Sequence, residues 1–97
     1  MQEKNILDDL YKTILNLDNI NECRTFLSDL CTPEELRSMS ERWRVAQLIY
    51  EEIPYRNIYN ATGVSTATIT RVARCLKENP NSGYLKLIKK KKDISNG

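Results

Sequence analysis

The sequence predicts an all-α protein, and three observations predict it. Apolar residues recur at helical spacing along nearly the whole chain. Thr32-Pro33-Glu34-Glu35 marks a sharply punctuated helix start. Two amphipathic stretches meet at a lone glycine, Gly63. Ninety-seven residues make one domain, and a chain of that size buries only roughly two-thirds of its unfolded surface.

Taken in order, Ile6, Leu7, Leu10, Tyr11, Ile14 and Leu15 keep a helical period from Lys4 to Leu17. Asp18-Asn19 interrupts it and can cap the next segment, where Ile20, Cys23, Phe26, Leu27 and Leu30 form a second stripe. Thr32 then reads as an N-cap, Pro33 as a first helical residue whose missing N–H costs nothing, and Glu35 as the other half of a capping box. The helix that follows reaches about Glu52, before Pro54 stops it. Leu36, Met39, Trp43, Ala46, Tyr50 and Ile53 are spaced 3-4-3-4-3, and Val45, Leu48 and Ile49 add an apolar strip on another side. Such a helix is either the centre of its own bundle or is covered on one side by a second subunit. With so few helices to offer, a homodimer is the economical reading.

Tyr55 to Thr62 fits a short helix with Ile58 and Ala61 inward. Gly63 supplies the φ > 0 position that ends it, and Ser65 caps the next helix. There Ile69, Val72, Ala73 and Leu76 form one apolar stripe, while Thr66, Thr70, Arg74 and Lys77 lie to the other side without a carboxylate. An αα-hairpin explains the glycine equally well. The crowding of Thr66, Thr68 and Thr70 and the charge distribution favour a helix-turn-helix over residues 55–77, because short hydroxyl side chains let a helix approach base edges and phosphates. Asn79-Pro80-Asn81-Ser82-Gly83 makes a loop. Tyr84, Leu85, Leu87 and Ile88 fit a short last helix, the domain ends at about residue 92, and the lysine run together with the tail 93–97 reads as disordered.

Charge is unevenly distributed. Residues 1–54 carry 6 Lys+Arg against 11 Asp+Glu, a net −5; residues 55–97 carry 9 against 2, a net +7. Setting aside Lys89 to Lys92 still leaves the second half at +3. A basic half on an acidic remainder is the electrostatic footprint of nucleic-acid binding. Cys23, Cys31 and Cys75 show no C-x-x-C spacing, and there is no histidine. No zinc site, disulfide framework or cofactor is therefore expected, and the thiols suggest a reducing cytoplasm. No apolar run approaches the ~20 residues of a membrane span, and the acidic, amphipathic N-terminus is not a signal peptide. Without histidine, a Gly-rich phosphate loop, or paired carboxylates framed by a nucleophile, the chain offers no catalytic residues, and no enzyme is expected.

From Leu30 to Leu76 the sequence resembles the Trp repressor family, and within it the bacterial TrpR-like YerC/YecD subgroup. Two blocks carry the resemblance: Thr32-Pro33-Glu34-Glu35 through Ser40-Glu41-Arg42-Trp43-Arg44-Val45, and Gly63-Val64 through Ala67-Thr68-Ile69-Thr70-Arg71, followed by Leu76-Lys77. The resemblance implies a six-helix bundle, an intertwined homodimer with two helix-turn-helix heads, and a two-fold symmetric operator in double-stranded DNA. It places DNA contacts at Arg56, Ser65, Thr66, Ala67, Thr68, Thr70 and Arg74, with Arg56 and Arg74 on phosphates and Thr66, Ala67 and Thr68 at base edges. It places a small-molecule effector pocket at Thr32, Arg42, Arg71, Val72 and Cys75. In the tryptophan-responsive members the position of Val72 is glycine and that of Cys75 is serine. Valine fills the space of the indole, and a thiol is a poor partner for the ligand's amine. Control by tryptophan is therefore not expected.

The expectation is a sequence-specific transcriptional regulator, a repressor. The alternatives are a helical protein-interaction module working through the acidic first half, and an architectural or replication-linked DNA binder.

Overall fold

The computed structural model describes residues 3–96. Among these residues the chain is all helix with no strand: α1 (Glu3–Leu15), α2 (Ile20–Leu30), α3 (Pro33–Tyr50), α4 (Tyr55–Thr62), α5 (Thr66–Glu78) and α6 (Gly83–Asn96). The chain falls into two compact units, Met1–Leu36 and Arg37–Gly97.

In the first unit, α1 and α2 bury no residue at all. Their apolar stripes are present as the sequence predicts, but Ile6, Leu7, Tyr11, Ile14, Leu15, Ile20 and Leu30 are exposed. Asn19 caps α2, its Oδ1 accepting from the Glu22 N–H at 2.9 Å. Thr32 and Glu35 form the expected capping box. The Glu35 N–H donates to Thr32 Oγ1 at 3.1 Å, and the Thr32 N–H donates to Glu35 Oε1 at 2.8 Å. The Thr32 backbone N–H foremost, with the Thr32 side chain as a second hydrogen-bonding group on the carboxylate, holds the Glu35 carboxyl below its ordinary value of 4.5.

The second unit holds the core. Val45, Ala46 and Ile49 of α3 meet Ile58 of α4, Val64 of the turn, Ile69, Val72, Ala73 and Leu76 of α5, and Ile88 of α6. All four apolar positions assigned to the α5 stripe are buried. On α4 only Ile58 is; Ala61, expected inward, is exposed. The two-sided pattern of α3 resolves into one buried side and one open one, with Met39 exposed and Trp43, Tyr50 and Ile53 half-buried.

α3 ends two residues before the expected Glu52. Glu52 takes a left-handed conformation (φ 63°), its N–H donates to the Ile49 carbonyl at 2.9 Å, and the Ile53 N–H donates to the Leu48 carbonyl at 3.1 Å. This pair of bonds closes a helix in a Schellman turn. α6 is longer than the short helix anticipated over 84–88 and continues through 93–96, residues read from the sequence as tail; Gly97 lies outside the described residues. The cause is local and tertiary together. Lysine is a good helix former, and the run is tied to α3. Lys91 Nζ donates to Gln47 Oε1 at 3.4 Å, and Lys92 Nζ lies 3.8 Å from Glu51 and 5.8 Å from the Tyr50 ring centroid.

Candidate nucleic-acid interface

The site is built from the second unit's α4, its glycine turn and α5. Gly63 adopts φ 73°, and its N–H donates to the Tyr59 carbonyl at 2.8 Å. Only glycine takes that conformation without steric cost. Thr62 buttresses the same turn: its hydroxyl donates to the Ile58 carbonyl at 2.7 Å and accepts from the Val64 N–H at 3.2 Å. Ser65 then starts α5, its Oγ accepting from the Thr68 N–H at 3.2 Å. With Ile58, Val64 and Ile69 buried beneath, α4 and α5 pack as a pair and α5 presents one face outward.

That face contains most of the residues named from the sequence. Ser65, Thr66, Ala67, Thr70, Arg71 and Arg74 are exposed on or just before α5, and Arg56 is exposed on α4. Thr68 is half-buried, and its Oγ1 accepts from the Ser65 hydroxyl at 3.0 Å. Its own O–H donates no hydrogen bond among the described residues. Among the described residues, the only ion pair within 4.0 Å joins Lys92 to Glu51. The guanidinium groups of Arg56, Arg71 and Arg74 thus carry their charge to solvent uncompensated, and the site is cationic in fact as well as in count.

The effector positions behave differently. Arg42 is half-buried, Arg71 and Cys75 are exposed, and the Thr32 hydroxyl is engaged in its capping box. Val72 is 2% exposed and belongs to the core. Trp43 and Tyr84 stack with ring centroids 6.4 Å apart and planes 17° from parallel. They line an open surface groove of about 750 Å³ with Arg74, Cys75 and Leu87, and of the five effector positions only Cys75 lines it. Sequence reasoning missed this aromatic pair, because the rings are 41 positions apart and no local spacing signals them. Among the described residues no cluster of His, Cys, Asp or Glu could hold a metal ion, and no helix is long and apolar enough to cross a membrane.

An all-helical chain with a glycine-closed helix-turn-helix and a cationic, hydroxyl-bearing second helix is the architecture of a DNA-binding regulator. The Trp repressor protein family model matches residues 5–92, so the chain belongs to the Trp repressor family, a family of regulators. It is 47% identical over 70 residues to the uncharacterized protein YerC of Bacillus subtilis strain 168, covering 72% of this chain and 67% of that one. The fold is similar to the crystal structure of a TrpR-like protein from Eubacterium eligens (TM-score 0.85, 36% identity, 91% of this chain and 90% of that one). It is equally similar to a Staphylococcus aureus protein proposed to be a Trp repressor (TM-score 0.84, 38% identity, 95% of each chain). The six helices and the TrpR-like subgroup read from the sequence are both borne out.

Proposed function

We propose that this protein is a sequence-specific, double-stranded DNA-binding transcriptional repressor that works in the cytoplasm as a homodimer. The observation that carries the reading is the outer face of α5, where Thr66, Ala67, Thr70 and Arg74 stand exposed beside unpaired arginines on a helix fixed by Gly63 and Ser65. Short side chains at the start of α5 suit base edges in the major groove, and a threonine methyl can meet a thymine methyl. Arg56 on α4 and Arg74 farther along α5 suit phosphates, which hold register without reading sequence. The homodimer is supported by the uncovered apolar residues of α1, α2 and the open side of α3. A second copy would supply a matching surface and a second head, and two heads read a two-fold symmetric site.

Selection of genomic fragments with the purified protein tests the proposal. Enrichment of a symmetric site, bound far more tightly than a scrambled duplex, is expected. Binding that is equal on both duplexes would leave only a non-specific binder.

Tryptophan is not the effector in this reading. Val72 puts an isopropyl group into a filled core where tryptophan-responsive relatives have glycine, and overpacking costs about 1–3 kcal/mol. Titration calorimetry with free tryptophan should show no binding. A micromolar affinity that also tightens operator binding would contradict it.

A further inference from the structure

The two helices of the interface are joined by one side-chain contact that the recognition reading leaves unused. Lys77 Nζ, in the last turn of α5, donates to Tyr55 Oη, in the first turn of α4, at 3.2 Å. The same ammonium stands 5.4 Å from the centroid of the Tyr55 ring. Both residues are exposed. We infer that Lys77 and Tyr55 together form a binding site for a backbone phosphate of duplex DNA, placed beside Arg56 at the edge of the interface. The inference rests on the DNA-binding reading above and adds a site to it.

Three physical points carry it. First, the partner of Lys77 is neutral, and no carboxylate lies within 4.0 Å of it among the described residues. A lysine held by a phenol keeps its whole charge, whereas one held by aspartate or glutamate is already spent. Second, the donors converge. An ammonium has three N–H donors, of which the phenol takes one, and the phenol that accepts still has its own O–H to give. A group rich in anionic oxygens can therefore receive bonds from both side chains at one place. Third, the lysine is held in position beforehand. A free lysine gives up rotamer freedom when it binds, and the hydrogen bond and ring contact restrict Lys77 in advance, which reduces that loss on association.

The position agrees with the geometry of the motif. Lys77 follows Thr66 and Thr70 at i, i+4 and i+11, on the side of α5 that carries them. Its partner opens the helix that, in a helix-turn-helix, crosses the DNA backbone. A phosphodiester thus fits the site better than a base edge does.

The test is the salt dependence of affinity for a selected duplex, measured for the full chain and three variants with matched melting temperatures. Each phosphate neutralised by a cation contributes about 0.9 to the slope of log K against log salt. Lys77→Gln is expected to flatten the slope by about 0.9, and Lys77→Arg to restore it. Tyr55→Phe keeps the ring but removes the O–H; it is expected to weaken binding roughly threefold to tenfold with the slope unchanged. A Lys77→Gln slope equal to the wild type would overturn the site, since a merely structural contact changes affinity without changing counterion release. A silent Tyr55→Phe would overturn the pair and leave Lys77 acting alone. Inorganic phosphate titrated onto the free protein should give no saturable response; saturation at millimolar phosphate would make this a site for the free anion. If the wild type binds no duplex above background, the DNA-binding proposal itself fails, an outcome distinct from all of these.

Discussion

The two units of this chain are written in the same amphipathic idiom and end in opposite states. α1 and α5 are each 13 residues long with a clear apolar stripe. On α5 the stripe disappears into a core made with α3, α4 and α6, while on α1 it faces solvent. α2 behaves like α1, with Ile20 70% exposed, and Leu15 of α1 reaches 84%. Periodicity tells which face of a helix is apolar, but not which surface covers it. Apolar residues scattered singly over a surface need no explanation, whereas an uncovered run of them marks an interaction surface. The second unit closes a core of its own while one side of α3 stays open, and the first has the surface of an unfinished core.

The largest effect expected from this contrast is in the core. Ile69→Ala removes a fully buried side chain and should cost about 2–5 kcal/mol in chemical denaturation, equally at low and high protein concentration. The counterpart in the first unit is Leu15→Ala. On a monomer it is a surface change and should stay within about 0.5 kcal/mol. In a homodimer that covers α1 its cost grows with protein concentration, because stability and association are linked. Light scattering gives the direct measurement. A mass near twice 11.3 kDa is expected, and a cooperatively melting species at 11.3 kDa would leave the exposed stripe without a second copy to cover it.

A smaller effect is expected where the first unit is well determined despite its empty core. Thr32→Ala removes the N-cap of α3 and should cost about 1 kcal/mol. The pH dependence of that end follows from Glu35, whose carboxyl is held below 4.5 by its bonds to Thr32. A depressed folded-state value means that the contribution is fully present above 4.5 and is lost as pH falls through the lower folded value. The wild type should therefore lose helix stability on acidification in a way that Glu35→Gln does not. Matching acid profiles for the two would remove the linkage.

Legibility in the sequence followed the same division between local and distant causes. The capping box at Thr32, the glycine at 63 and the Ser65 cap could all be read because both partners of each bond lie within four residues. The exposed polar face of α5 followed from its stripe, and with it most of the candidate site. Contacts across the fold left no such trace. Tyr55 and Lys77, Trp43 and Tyr84, and Lys92 with Glu51 and Tyr50 are brought together only by packing. For that reason the lysine run read as a loose tail rather than as helix resting on α3. Ala61 failed for a related cause: a helix of 8 residues has room for little more than one buried contact, and Ile58 takes it.

The end of α3 is the least legible point and gives the smallest expected effect. The sequence suggests that Pro54 stops the helix, yet the helix has already turned at Glu52, which carries the left-handed conformation usually reserved for glycine. That conformation costs an L-residue about 1–2 kcal/mol, whereas glycine is free of the penalty but loses about 0.5–1 kcal/mol more chain entropy on folding. Glu52→Gly should therefore raise stability by about 0.5 kcal/mol. Glu52→Ala provides the control, because alanine removes the carboxylate and keeps the steric cost. A gain with glycine and none with alanine assigns the effect to the backbone. An equal gain in both assigns it to the loss of charge at a helix C-terminus, where a carboxylate is unfavourable. A loss with glycine would mean that the turn is held by its two backbone bonds firmly enough for chain entropy to decide.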